Sequence, residues 1–168
     1  MNIFLTGFMG SGKTTIGKRM AKLIGFDFVD TDEWIEHREG KTVAQIFEDA
    51  GEEAFRRMEH DVLEEMRQRD FTVVSTGGGM PCFGNNMEMM LAIGKVVYLY
   101  TLPQTLVRRL MRSHVERPLI KDKSLEELQE YIAVKLAERE PFYRKAHIIV
   151  STENFSMGQL LQSFKLMK

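Results

Sequence analysis

Gly7-Phe8-Met9-Gly10-Ser11-Gly12-Lys13-Thr14 directly follows the apolar run Ile3-Phe4-Leu5 and opens a helix-like stretch. Its spacing is G-x-x-x-x-G-K-[ST], and each fixed position has a physical task. The glycines let successive backbone N–H groups turn inward around phosphate, the lysine reaches the outer phosphates, and the Thr14 hydroxyl is suited to a Mg2+ ion. The positive end of the following helix adds to the same field. The stretch thus predicts a nucleoside-triphosphate cradle built from Gly10, Ser11, Gly12, Lys13, Thr14 and Thr15, set between a strand and a helix.

Working outward, runs rich in β-branched or aromatic residues predict five strands, at 2–6, 27–30, 72–76, 95–100 and 147–151. They are nearly uninterrupted and apolar, as strands covered on both faces should be. Helical spacing fills the intervals. Ile16, Met20, Leu23 and Ile24 share a face, and Gly25 stops that helix. A charged helix is expected over about 52–69, a further one after Pro103 on Leu106, Leu110 and Met111, and one on Leu125, Leu128, Ile132 and Leu136. Ser124 and Glu127 form the capping box of the latter. A last helix is expected over 157–166. Alternating strands and helices imply a parallel sheet in a three-layer α/β sandwich, with ligands beyond the carboxyl ends of the strands. The strand ends at Thr6-Gly7, Asp30-Thr31-Asp32 and Ser75-Thr76-Gly77-Gly78-Gly79 should therefore converge on one crevice. The interval from 31 to 69 holds no strand and reads as a helical insertion over that crevice.

The 168 residues, 43% hydrophobic, suffice for one core and are too few for two ordinary domains, so a single domain over 1–168 is expected. A net charge of −1 gives no global basic field, which argues against a nucleic-acid partner. No apolar stretch is long enough to span a bilayer. One cysteine excludes an internal disulfide framework, and Met1 leads straight into a strand without a leader pattern, so a cytoplasmic protein is expected. The histidines and the cysteine lack zinc-ligand spacing, so any metal should be held by oxygen.

Asp30 and Asp32 flank Thr31 at a strand end, and in an extended segment both carboxylates would face the phosphates. One would then hold Mg2+ and the other accept the proton of an attacking hydroxyl. The plainer account is that Asp30 or Thr31 caps a helix starting near Glu33. Arg56-Arg57 sits among Glu52, Glu53, Glu59 and Asp61, which ordinary pairing along a helix surface would explain. Three consecutive glycines after a strand allow a ligand to lie on backbone N–H groups. The stretch 108–117 carries Arg108, Arg109, Arg112, His114 and Arg117, either a mobile cationic segment that closes over phosphate or a solvated basic face. Arg139, ahead of Pro141, either enters the crevice or serves the dipole of its own helix end. Met80, Met87, Met89 and Met90 read as flexible packing beneath a loop.

Taken in order, the cradle continued by Thr15-Ile16-Gly17, Phe-Val-Asp-Thr-Asp at 28–32, Phe-Arg-Arg at 55–57, Gly-Gly-Gly at 77–79, Arg-Pro-Leu at 117–119 and Arg-Glu-Pro-Phe-Tyr at 139–143 resemble the shikimate kinase family. The cradle alone is shared by many unrelated enzymes. Its combination with Asp-Thr-Asp, Phe-Arg-Arg and the triple glycine is what makes the resemblance specific. The resemblance implies a P-loop, nucleoside-monophosphate-kinase-like fold with a helical substrate-binding insertion near 31–69 and a lid near 109–124. It also implies transfer of the ATP γ-phosphate to the 3-hydroxyl of shikimate, giving ADP and shikimate 3-phosphate on the way to chorismate. By the same resemblance Asp32 binds the shikimate hydroxyls and acts as base, Arg56 and Arg139 grip the carboxylate, and Gly77, Gly78 and Gly79 line the ring. Lys13 and Arg117 meet the ATP phosphates, and Mg2+ is held by Thr14, with Asp30 and Ser75 acting through water. A monomer is expected. The adenine-stacking arginine falls on Arg109 or Arg112, and Ser151-Thr152-Glu153-Asn154-Phe155 replaces the family's usual adenine-side loop. The rival readings are a gluconate-kinase-like enzyme and a non-catalytic ATP-dependent binding module.

Overall fold

The computed structural model describes residues 1–113 and 120–165. In chain order these form β1 (Asn2–Thr6), α1 (Lys13–Ile24), β2 (Asp27–Asp30), α2 (Thr31–Glu39), α3 (Val43–Met66), β3 (Thr72–Ser75), a 3-10 turn (Met80–Cys82), α4 (Asn86–Ile93), β4 (Gly94–Tyr100), α5 (Pro103–Arg112), α6 (Leu125–Tyr143), β5 (Ile148–Ser151) and α7 (Met157–Ser163). The strands pair in parallel in the order β2-β3-β1-β4-β5. Each lies where its apolar run predicts, to within a residue at the ends.

Alternation along the strands divides the core into layers. Phe4, Val74 and Val96 point to one face, where they meet α3 and α4 through Val62, Leu63, Met87 and Met90. Further along that side Tyr98 packs on Leu106 of α5 and on Ile132 and Tyr143 of α6. Ile3, Leu5, Val73 and Val97 point to the opposite face, against Met20 of α1 and Leu160 of α7. A parallel sheet buried on both sides follows from these uninterrupted apolar strands.

Four elements depart from the expectations. Helix α2 begins at Thr31, because Asp30 Oδ1 accepts the N–H groups of Asp32 and Glu33 and caps it. The charged helix begins at Val43, not near 52, and ends at Met66. Thr42 and Gln45 bond reciprocally at its start, a capping box legible in the sequence. Gly51, at φ 82 and ψ 170, then breaks the helix into two straight pieces. The methionines belong to the core: Met80, Met87 and Met90 are fully buried, the last two in α4. The last helix ends at Ser163, with Phe164 as its cap, short of the expected end; Leu166 itself lies outside the described residues.

Candidate active site

Because β3 lies on one side of β1 and β4 on the other, the direction of winding reverses at the carboxyl end of β1. An open α/β sheet presents its crevice at such a point. The chain leaving β1 forms the glycine-rich loop, and Gly12, at φ 95, caps α1 in the left-handed conformation. Lys13 folds back so that Nζ donates to the carbonyls of Gly7 and Phe8 at 2.9 and 3.0 Å. Gly10, Ser11, Gly12, Lys13, Thr14 and Thr15 all line a cleft of about 690 Å3. Asp32, Arg56, Gly77, Gly78, Gly79 and Arg139 line the same cleft. Residues scattered over more than a hundred positions thus share one cavity with the cradle.

At its base Thr14 Oγ1 donates to Asp30 Oδ2 at 2.8 Å and lies 3.4 Å from Ser75 Oγ. All three side chains offer oxygen and only one is a carboxylate. This donor set suits Mg2+, which binds few protein oxygens and keeps water and phosphate as its remaining ligands. Asp30 therefore divides its oxygens, one capping α2 and one turned to Thr14.

Asp32 is placed differently from the extended-strand expectation. It occupies the first turn of α2, so the shared-face argument for residues 30 and 32 fails, although both carboxylates reach the cleft. Its Oδ1 is buried with no hydrogen-bond partner among the described residues. Loss of hydration, followed by repulsion from Asp30, raises its pKa to about 6, although Lys13 pulls the other way. Glu59 is a residue that sequence reasoning treated only as a surface partner. It is 1% exposed, and its Oε1 is also buried without a partner. Both unpaired oxygens converge on Gly77: a β-carbon there would stand 2.7 Å from Glu59 Oε1 and 2.8 Å from Asp32 Oδ1. Burial, only partly offset by Arg56, pushes the Glu59 carboxyl up to about 7. A signal existed, because Phe55, Val62, Leu63 and Met66 form the buried stripe of α3 and residue 59 falls on it.

Arg56 and Arg57 behave in opposite ways. Arg57 is exposed and pairs with Glu53, as a surface arginine should. Arg56 is held by Glu59 Oε2 at 2.7 Å and Glu52 Oε1 at 3.0 Å, and its guanidinium lies against Gly79, where a β-carbon would be 2.6 Å from Nη2. Arg139 approaches the neighbouring glycine, with Nη1 at 3.3 Å from a β-carbon on Gly78, and its guanidinium covers the Phe8 ring at 5.5 Å. Of the three glycines, Gly77 has no free amide, since its N–H donates to Thr31 Oγ1 at 2.9 Å. The N–H groups of Gly78 and Gly79 have no acceptor among the described residues. Tyr143, fully buried, donates its hydroxyl to the Gly78 carbonyl at 2.6 Å and fixes that peptide.

On the nucleotide side, Arg109 lines the cleft and Nη1 donates to the Gly10 and Ser11 carbonyls at 3.1 and 3.3 Å. Arg112 is exposed at the end of α5. Thr152 and Phe155, from the loop after β5, also line the cleft. Arg117 lies outside the described residues, as does much of the expected lid.

The family model described as shikimate kinase matches residues 9–165. A shikimate kinase from Parabacteroides distasonis is 48% identical over 151 residues, covering 90% of this chain and 87% of the relative. A shikimate kinase crystal structure from Bacteroides thetaiotaomicron superposes with a TM-score of 0.89 at 41% identity, covering 98% and 94% of the two chains. The shikimate kinase of Acinetobacter baumannii, solved in complex with shikimate, gives 0.84 at 38% identity, covering 98% and 90%. A gluconokinase from Sinorhizobium meliloti gives 0.56 at 16% identity, over 96% and 87% of the chains, a likeness of fold alone. With a cradle facing two guanidiniums and a glycine triplet, and with this extent of shared sequence, the chain belongs to the shikimate kinase family.

Proposed function

We propose that this protein transfers the γ-phosphoryl group of ATP to the 3-hydroxyl of shikimate, releasing ADP and shikimate 3-phosphate for chorismate synthesis. The observation that carries the reading is the convergence of Lys13, the unpaired Asp32 oxygen and the guanidiniums of Arg56 and Arg139 on one cleft. A small hydroxylated acid needs cations at its carboxylate and an acceptor at its hydroxyls, and the cleft offers both.

In this reading Arg56 and Arg139 hold the shikimate carboxylate, while the amides of Gly78 and Gly79 and the carboxylate of Asp32 meet the ring and its hydroxyls. Charge-assisted bonds of this kind contribute about 1.5–3 kcal/mol each. The acceptor oxygen attacks the γ-phosphorus, the bond to the β,γ-bridging oxygen breaks, and the hydroxyl proton passes to Asp32. A carboxyl raised to about 6 is still largely ionised at neutral pH and is a better proton acceptor than an ordinary aspartate. Glu59 fixes Arg56 in plane and is a positioning residue. Lys13, with Arg117 from the lid, stabilises charge on the transferring group. Thr14, with Asp30 and Ser75, would hold Mg2+, which when bound neutralises phosphate charge and orients the γ-phosphoryl group. Arg109, anchored on the cradle carbonyls, is favoured over Arg112 for the adenine.

The insertion at 31–69 and the lid at 109–124 are taken to close over the two substrates and exclude water. The protein is read as a cytoplasmic monomer, since one chain supplies every group invoked and no helix among the described residues is long and apolar enough to cross a membrane. The test is ADP release with Mg2+ and ATP, comparing shikimate, quinate, gluconate and nucleoside monophosphates as acceptors. Shikimate is expected to support turnover far beyond the others. Turnover confined to gluconate, or none with shikimate, would overturn the reading.

A further inference from the structure

Phe83 is a large aromatic left 40% exposed, one residue beyond the 3-10 turn that follows the glycine triplet. Its ring lies 4.4 Å from the Arg56 guanidinium carbon. The backbone fixes it there: its N–H donates to the Met80 carbonyl at 3.4 Å, and its carbonyl accepts the Asn86 N–H at 3.1 Å at the start of α4. Isolated exposed aromatics are common and need no explanation. This one covers the residue read above as a carboxylate clamp.

The remaining contacts of Arg56 show what the ring adds. Nε and Nη2 donate to Glu52 Oε1 at 3.3 and 3.0 Å, and Nη1 donates to Glu59 Oε2 at 2.7 Å. A guanidinium carries five N–H donors, so one remains on each terminal nitrogen. Bonds to the glutamates fix the group within its own plane and leave its tilt weakly set. Tilt is governed by contacts with the flat faces: Phe83 supplies the nearer ring at 4.4 Å and Phe55 a more distant one at 5.7 Å, while Gly79 lies close enough that a β-carbon would clash. Glu52 is mostly exposed, so its share of the restraint is weak in water.

We infer that Phe83 is a positioning residue for substrate recognition: its ring sets the tilt of the Arg56 guanidinium so that its remaining N–H groups face the substrate carboxylate. This rests on the reading of Arg56 as a carboxylate ligand. Cation–π contacts at partly exposed sites contribute about 0.5–1 kcal/mol, so Phe83→Ala should raise the shikimate KM about two- to fivefold. The kcat and the ATP KM should stay at wild-type values, and the melting temperature should fall by only about 2–4 °C. Phe83→Tyr should behave as wild type and Phe83→Leu as Phe83→Ala, because leucine has bulk without a π face. In an Arg56→Ala background Phe83→Ala should add nothing. An unchanged shikimate KM in Phe83→Ala, full rescue by leucine, or an undiminished penalty without Arg56 would each overturn the inference.

A second readout separates this inference from the one beneath it. The Arg56 Nε–Hε proton resonance, measured by NMR on the free protein, should shift in Phe83→Ala by the ring-current contribution of Phe83, leaving only that of the more distant Phe55 ring. If Arg56→Ala leaves shikimate KM unchanged, the carboxylate role of Arg56 falls. A change in that shift would still establish the hold of Phe83 on the guanidinium in that case, and an unchanged resonance would refute it.

Discussion

The two walls of the cleft are built in opposite ways. The phosphate wall is built on one continuous segment, with Arg109 added from α5, and these groups are already answered within the protein: Lys13 by two carbonyls, Thr14 by Asp30, Arg109 by two carbonyls. Among the described residues its one buried side-chain polar atom without a partner is the neutral Ser11 hydroxyl. The acceptor wall is assembled from α2, α3, the glycine triplet and α6, and it buries two carboxylate oxygens without partners. A buried unpaired carboxylate oxygen costs stability, of order 1–3 kcal/mol or more. Stability is thus given up on the acceptor side, where the proposed reading places the recognition of hydroxyls.

That contrast is broken or sharpened by three measurements. The largest effect is expected from Asp32→Asn, which should lower kcat by roughly a hundred- to ten-thousandfold while leaving ATP affinity near wild type. Turnover within a few fold of wild type would remove Asp32 from the chemistry and erase the distinction between the walls. Next, Arg139→Ala should raise the shikimate KM by about ten- to a hundredfold through loss of a charge-assisted bond, with the ATP KM little changed. A normal shikimate KM would place the carboxylate elsewhere.

The smallest effect is on stability and its pH dependence. Asp32 is faced by Lys13, Asp30, Glu36 and Arg56, with Glu59 beside it at Gly77, and burial outweighs the cations to raise its pKa to about 6. A carboxyl raised on folding holds its proton more tightly in the native state. Its stabilising contribution is complete below about pH 4, the unfolded value, and is lost as pH rises through about 6. Glu59, raised to about 7, acts in the same direction. Asp32→Asn should therefore melt above wild type at pH 8, by about 3 kcal/mol or roughly 6–12 °C, with the gap about halved at pH 5. Equal gaps at both pH values would mean that the Asp32 carboxyl is not raised.

The contrast also accounts for what was legible in the sequence. The phosphate wall is contiguous, and its spacing alone identifies the cradle and the strand and helix that flank it. The sheet was equally plain, because strands buried on both faces leave apolar runs such as Val73-Val74 and Val96-Val97. The acceptor wall is legible only residue by residue. Asp32 was expected on a strand because Asp30 ends one, and the cap at Asp30 starts the helix a residue later. Glu59 was hidden because a glutamate three residues from an arginine looks like a surface pair until the burial of its neighbours is known. Helix α4 escaped notice since it is eight residues long and its cap residue, Asn85, makes no side-chain cap bond. No local pattern announces the Tyr143 bond to Gly78, which joins residues 65 apart.

The break at Gly51 has a mechanical consequence. The piece after it is nailed into the core by Phe55, Val62, Leu63 and Met66, so Arg56 and Glu59 sit on stationary ground. The piece before it contributes Val43 and Phe47 to the cavity yet is anchored by a single fully covered side chain, Ile46. A pivot whose backbone only glycine tolerates separates the two. Displacing the outer piece would leave the ion pairs of Arg56 in place and part Val43 and Phe47 from the core they pack against, so in the proposed reading enclosing the acceptor and recognising it fall to different halves of one helix.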